Sequence, residues 1–89
     1  MTRTEWIAAL EREGWFVTEW TDEPGRHYEA HVHRAAEVRV VLEGSMTILI
    51  AGVAHVLHAG MRFDVEPDVT HEAIVGSDGA HYLSGAVRE

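Results

Sequence analysis

Residues 25–44, GRHYEAHVHRAAEVRVVLEG, carry three histidines in twenty positions, and a single valine separates two of them, His31 and His33. Aromatic, β-branched and charged residues alternate through the stretch and glycines close both ends, which reads as two strands joined by a short link. A strand sends successive side chains to opposite faces. On a strand over 27–33, His27, Glu29, His31 and His33 therefore share one face, and Tyr28, Ala30 and Val32 share the other. Same-face neighbours lie about 6.5–7 Å apart, near enough for two imidazoles to converge on one ion with bonds of about 2 Å.

The same reading extends along the chain. Strands are predicted near 15–20, 27–33, 37–43, 45–51, 53–58, 61–66, 70–75 and 80–87, with turns at 23–25, 43–45, 51–52, 59–60 and 77–79. Eight short strands with tight links imply an all-β sandwich or barrel. Before them, TRTEWIAALEREG reads as one helix, with Thr2 or Thr4 able to cap it, Trp6, Ile7 and Leu10 on one side and Gly14 at its end. Thr2 and Glu5 have capping-box spacing. Residues 1–14 are thus expected to pack as a helix on a barrel formed by 15–89, in one domain. Trp6, Trp15, Phe16 and Trp20 are expected either to pack helix and first strand on the barrel wall or to form a dimer interface.

With 89 residues the chain forms one domain with a thin core, to which a bound metal or partner would add stability. It has no cysteine, which excludes disulfides, thiolate zinc sites and cysteine nucleophiles. Any metal must be held by nitrogen and oxygen. The net charge of −8, with seven scattered arginines as the only fixed cations, excludes a nucleic-acid partner. No apolar run is long enough to span a bilayer and no signal pattern opens the chain, so no membrane partner and a cytoplasmic location are expected. Ser45, Ser77 and Ser84 lie in turns or strands rather than in a nucleophile elbow, and no phosphate-cradling glycine loop is present.

Two further residues are placed to join the histidine pair. Glu37, three residues on, opens the next strand and offers an oxygen, and His71 opens a later strand after a proline-containing turn. Taken singly, Glu37 reads equally well as a solvated strand-edge carboxylate and His71 as an ordinary turn histidine.

Gly25, five residues, His31-Val32-His33, three residues, Glu37, six residues and Gly44 resemble the first motif of the cupin family without a gap. Gly60 to His71 resembles the second motif, with Glu66 where the family has proline, Asp68 where it has the turn glycine and Val75 where it has asparagine. Aspartate tolerates positive φ better than most residues, so the turn survives the exchange. The resemblance covers about residues 15–87 and implies a small jelly-roll barrel. It also implies His31, His33, Glu37 and His71 as ligands of one divalent transition metal, chosen from Mn, Fe, Co, Ni, Cu and Zn.

Three imidazoles and one carboxylate leave positions open for water, oxygen or a chelating substrate. The resemblance therefore implies a metalloenzyme of dioxygenase, isomerase or lyase type acting on a small oxygenated or acidic molecule. A ligand-sensing module and a purely structural metal are the rival readings. Alternation turns Arg39 inward two residues after Glu37, where it would clamp an acidic substrate or pair internally with a carboxylate such as Glu29. His27 and Glu29, on the ligand face of their strand, are candidates for general base or supporting partner. The aromatic-rich N-terminal segment and the family resemblance together imply a homodimer.

Overall fold

The computed structural model describes residues 1–87; Arg88 and Glu89, which the expected 15–89 barrel includes, lie outside the described residues. One helix, α1 (Arg3–Arg12), precedes six strands: β1 (Trp15–Asp22), β2 (His27–His31), β3 (Glu37–Ile50), β4 (Val53–His58), β5 (Arg62–Val65) and β6 (His71–Val87). The helix starts at a full capping box. The Thr2 hydroxyl accepts from the Glu5 amide at 3.1 Å and a Glu5 carboxylate oxygen accepts from the Thr2 amide at 2.8 Å.

Eight expected strands appear as six because β3 and β6, of 14 and 17 residues, each supply two of them. The first half of β3 pairs with β5 on one side and the last part of β6 on the other, and β1 completes that layer beyond β6. The second half of β3 pairs with β4 and with the first part of β6, and β2 completes the other layer. Two four-stranded layers therefore come from one sheet that folds over at its long strands. All pairing is antiparallel, as a jelly roll requires.

The fold-over lies where turns were expected at 43–45 and 77–79. The ladder shifts register between Val41 and Glu43 and again between Gly44 and Met46. Such bulges bend a strand without ending it. Gly44, at φ 77°, is indispensable here, since a Cβ on it would lie 2.0 Å from the Gly79 carbonyl oxygen. At the opposite end a two-residue hairpin joins β3 to β4, with Ala51 at φ 50° and Gly52 at φ 78°.

The apolar residues divide into two cores. Val41, Met46, Ile48, Leu57, Val75, Ala80 and Tyr82 fill the space between the layers, with Ile50, Phe63 and Ala73 against them. Leu10, Val38, Val40 and Leu83 form a second core outside the first layer, covered by Trp6, Ile7, Trp15, Val17 and Leu42. Leu83 thus packs under the helix rather than inside the barrel. Trp6 and Trp15 follow the wall-packing expectation, while Phe16 and Trp20, on the opposite face of β1, are about half exposed at 47% and 51%. Among the described residues no helix is long and apolar enough to cross a membrane.

Candidate metal centre

His31, His33, Glu37 and His71 converge, each offering a ligand atom, with those atoms within 4.8 Å of one another. Topology sets three of them directly. His31 and His71 are cross-strand partners at the junction of β2 and β6, and their ring centroids are 4.3 Å apart. Glu37 opens β3 between β5 and β6, so both neighbours hold its backbone. His33 lies just past β2 in the 32–36 link, and its carbonyl accepts from the Asp68 amide at 2.9 Å. Asp68 has φ 61°, so the turn forms with aspartate in the left-handed region and ties the His33 link to the approach to His71.

Backbone carbonyls orient two of the imidazoles. His31 Nδ1 donates to the Glu29 carbonyl at 2.7 Å and His71 Nδ1 to the Val69 carbonyl at 3.0 Å. With the proton on Nδ1, each ring keeps its Nε2 lone pair for an ion. His71 Nε2 lies 3.4 Å and His33 Nε2 3.7 Å from Glu37 Oε1. Glu37 Oε1 and His71 Nε2 are buried with no hydrogen-bond partner. Buried polar atoms are almost always paired, so two acceptors turned toward each other without a donor form a place for a cation. Donors about 2.1 Å from one ion are at most about 4.2 Å apart, so the cluster needs to contract by only about half an ångström.

A cavity of about 70 Å³ adjoins the cluster, lined by Tyr28, His31, Arg39, Met46, Ile48, Val65, His71, Ala73 and Tyr82. Arg39 faces inward, as alternation predicts. Its carboxylate neighbour is Glu37 rather than Glu29: Nη2 is 3.7 Å from Glu37 Oε2, and Nη1 donates to the Val38 carbonyl at 3.2 Å. Among the described residues the remaining guanidinium donors have no hydrogen-bond acceptor.

The expected common face of His27, Glu29, His31 and His33 does not form. Between Tyr28 and His31 the β2–β6 register shifts, so three steps along β2 match two along β6, and alternation reverses. Tyr28 therefore joins His31 on the cavity side. His27 is exposed and pairs with Glu72, and the Glu29 side chain is exposed while its carbonyl holds His31. His33 lies beyond the strand's end. His55 is half-buried with its ring 4.8 Å from that of Phe63.

A cluster that the sequence reading passed over sits in the same cavity wall. Tyr28 and Tyr82 each donate a hydroxyl hydrogen to Oδ2 of Asp22, both at 2.7 Å. Burial, and then the Asp22 bond, hold the Tyr82 phenol well above its ordinary range, so it stays protonated. No short-range pattern joins Asp22, Tyr28 and Tyr82. They meet only because β1 and β2 both run beside β6.

Residues 18–84 match the Cupin domain family. Over 62 residues the chain is 32% identical to dimethylsulfoniopropionate lyase DddW of Ruegeria pomeroyi, an alignment covering 70% of this chain and 41% of the relative. The chain thus spans about two-fifths of the length of that curated relative. A solved RmlC-like cupin from Shewanella frigidimarina superposes with a TM-score of 0.72 and 28% identity, over 85% of this chain and 68% of that one. A cupin protein from Bacteroides fragilis gives a TM-score of 0.72 and 26% identity, over 84% and 66%.

Proposed function

Because this chain belongs to the cupin family, we propose that it is a metal-dependent enzyme acting on a small oxygenated or acidic organic molecule in the cavity beside His31, His33, Glu37 and His71. The observation that carries the reading is the pair of partnerless buried acceptors, Glu37 Oε1 and His71 Nε2. The cofactor is one divalent transition metal, drawn from Mn, Fe, Co, Ni, Cu and Zn, the range that imidazole and carboxylate donors accept. Bound there, it supplies Lewis acidity or oxygen activation. The reaction is of dioxygenase, isomerase or lyase type, and similarity to a protein named as a lyase supports the last.

The chain's own residues bind and orient. One carboxylate offsets only half of a divalent charge, and the Arg39 guanidinium adds a second cation whose free donors face the cavity. Two positive charges among Met46, Ile48, Val65 and Ala73 favour an anionic group on the ligand. His27 and Glu29, whose side chains lie outside the cavity lining, take no step.

Elemental analysis of protein purified without added metal tests the cofactor. About one equivalent is expected in the wild type, and much less in His33→Ala. Incubating loaded protein with small oxygenated acids, followed by proton NMR, tests the reaction, with turnover lost in His71→Ala. Absence of metal from wild-type protein even after incubation with all six ions refutes the proposal.

The same reading includes a homodimer, supported by the outer edge of β1, which no strand among the described residues pairs, and by the exposed Trp20 on it. Sedimentation is expected to give two chains, and one in Trp20→Arg. A wild-type monomer at high concentration refutes it.

A further inference from the structure

The cavity has a second charged centre that the metal reading leaves unused. Asp22 closes β1, Tyr28 is turned inward by the β2 bulge, and Tyr82 comes from β6. Both phenols spend their only proton on the same Asp22 oxygen at 2.7 Å. With that proton spent, each phenol oxygen can act toward a further partner only as an acceptor. Donation to a carboxylate enriches those oxygens further. Bulges are often found where a side chain is re-aimed at a binding site, and this one brings Tyr28 onto the His31 side of the strand.

The cavity is therefore two-signed. Arg39 and the ligand cluster favour an anion, while Tyr28 and Tyr82, backed by the Asp22 charge, favour a hydrogen-bond donor. Met46, Ile48, Val65 and Ala73 supply the apolar remainder. A volume of 70 Å³ is about that of two waters at about 30 Å³ each, so only a ligand of a few non-hydrogen atoms, or one end of a slightly larger one, fits.

We infer that Tyr28 and Tyr82, held by Asp22, form a specificity site for a hydroxyl or amino group, and that the ligand is a small hydroxy acid or amino acid rather than a plain acid. The inference rests on the proposed metal-dependent function and names its substrate class. Tyr28 and Tyr82 would touch the ligand; Asp22 is a positioning residue acting through them.

Calorimetric titration of zinc-loaded protein with two matched sets tests it: acetate, glycolate and glycine, then propionate, 3-hydroxypropionate and β-alanine. Within each set the acid is constant and the other end carries hydrogen, hydroxyl or ammonium. A hydroxyl or amino group also chelates metal, so the decisive quantity is the preference over the plain acid in wild type divided by the same preference in Tyr28→Phe and Tyr82→Phe. That quotient is expected to be about three- to tenfold in at least one set, the range of one hydrogen bond, with metal content retained. The larger quotient for hydroxyl or for ammonium identifies which group is read.

A quotient near one in both sets, with metal retained, overturns the inference and leaves the tyrosines as ties between strands. Should Tyr82→Phe fail to fold, Tyr28→Phe at the less buried position decides alone. Loss of the underlying reading looks different: wild-type protein would hold no zinc or bind no plain acid, and both proposals would fall together.

Discussion

Adding a divalent ion to metal-free protein is expected to raise its melting temperature by about 11–22 °C. Two routes lead to that magnitude. Glu37 Oε1 and His71 Nε2 are buried without partners, and such atoms cost about 1–3 kcal/mol each, so a cation that satisfies both relieves about 2–6 kcal/mol. Independently, an ion at 100 times its dissociation constant stabilises the folded state by about 2.7 kcal/mol through mass action. A domain of this size gains about 4–8 °C per kcal/mol. Differential scanning fluorimetry with each of the six ions, on protein stripped by chelator, measures the shift. His71→Leu supplies the control. It removes one orphaned nitrogen along with the Nδ1 bond to the Val69 carbonyl, two changes of opposite sign and about 1 kcal/mol each. Its metal-free melting temperature should then stay within about 5 °C of wild type, while the shift on adding metal disappears. A wild-type shift of no more than a couple of degrees with every ion, or a response in His71→Leu as strong as in wild type, refutes cation binding at this cluster.

Three other outcomes follow from the geometry. Ala51→Asn should stabilise the protein by about 0.5–1 kcal/mol, because Ala51 holds φ 50° in an exposed hairpin turn that asparagine tolerates better; urea unfolding reads the gain. Gly44→Ala should cost at least about 3 kcal/mol, since its Cβ would meet the Gly79 carbonyl at 2.0 Å in a left-handed conformation, and a soluble variant with wild-type melting would contradict the fold-over. Acid should destabilise the chain between about pH 4.5 and pH 2. Glu13, bound by Arg62 and then by the Trp15 indole, and Glu19, bound by Arg3 and then His81, have their carboxyls lowered from 4.5 to about 2 in the folded state. Their contribution is present above the unfolded value and lost as both states protonate below it. Both groups are exposed, so urea midpoints should fall less steeply with acid in Glu19→Gln and in high salt.

What could be read from the sequence was what depends on spacing and conformational preference. The capping box of Thr2 and Glu5, the β periodicity after Gly14, and the inward side of β3 carrying Glu37, Arg39 and Val41 all follow from residues a few positions apart. The four-residue cluster was legible because two motif segments each carry their ligands at fixed offsets. Alternation failed where the ladder did: one extra residue between Tyr28 and His31 exchanged the faces of β2, hiding Tyr28 and giving His27 and Glu29 an inward direction they lack. Gly44 and the 76–79 segment carry turn chemistry, yet they bend strands instead of ending them, because pairing resumes on both sides. Whether a glycine makes a turn or a bulge depends on which partner strand is present, and that information is not local.

The same dependence on partner strands explains why site and fold are one problem in this chain. His31 and His71 are a ladder pair, Glu37 is fixed between β5 and β6, and the His33 link is tied to Asp68. A cation held by all four would tie Glu37 in one layer to His31 and His71 in the other, at a junction where two buried acceptors otherwise stand unpaired. With 89 residues divided between two small cores, the chain has little apolar surface to spare for that junction. Metal affinity and fold stability should therefore change together for substitutions at the junction and separately for those under the helix. Leu10→Ala, about 2–5 kcal/mol destabilising in the outer core, is expected to lower the melting temperature of metal-free and loaded protein by the same amount. A variant at Asp68 that loosens the turn should instead lower the loaded protein more than the metal-free one.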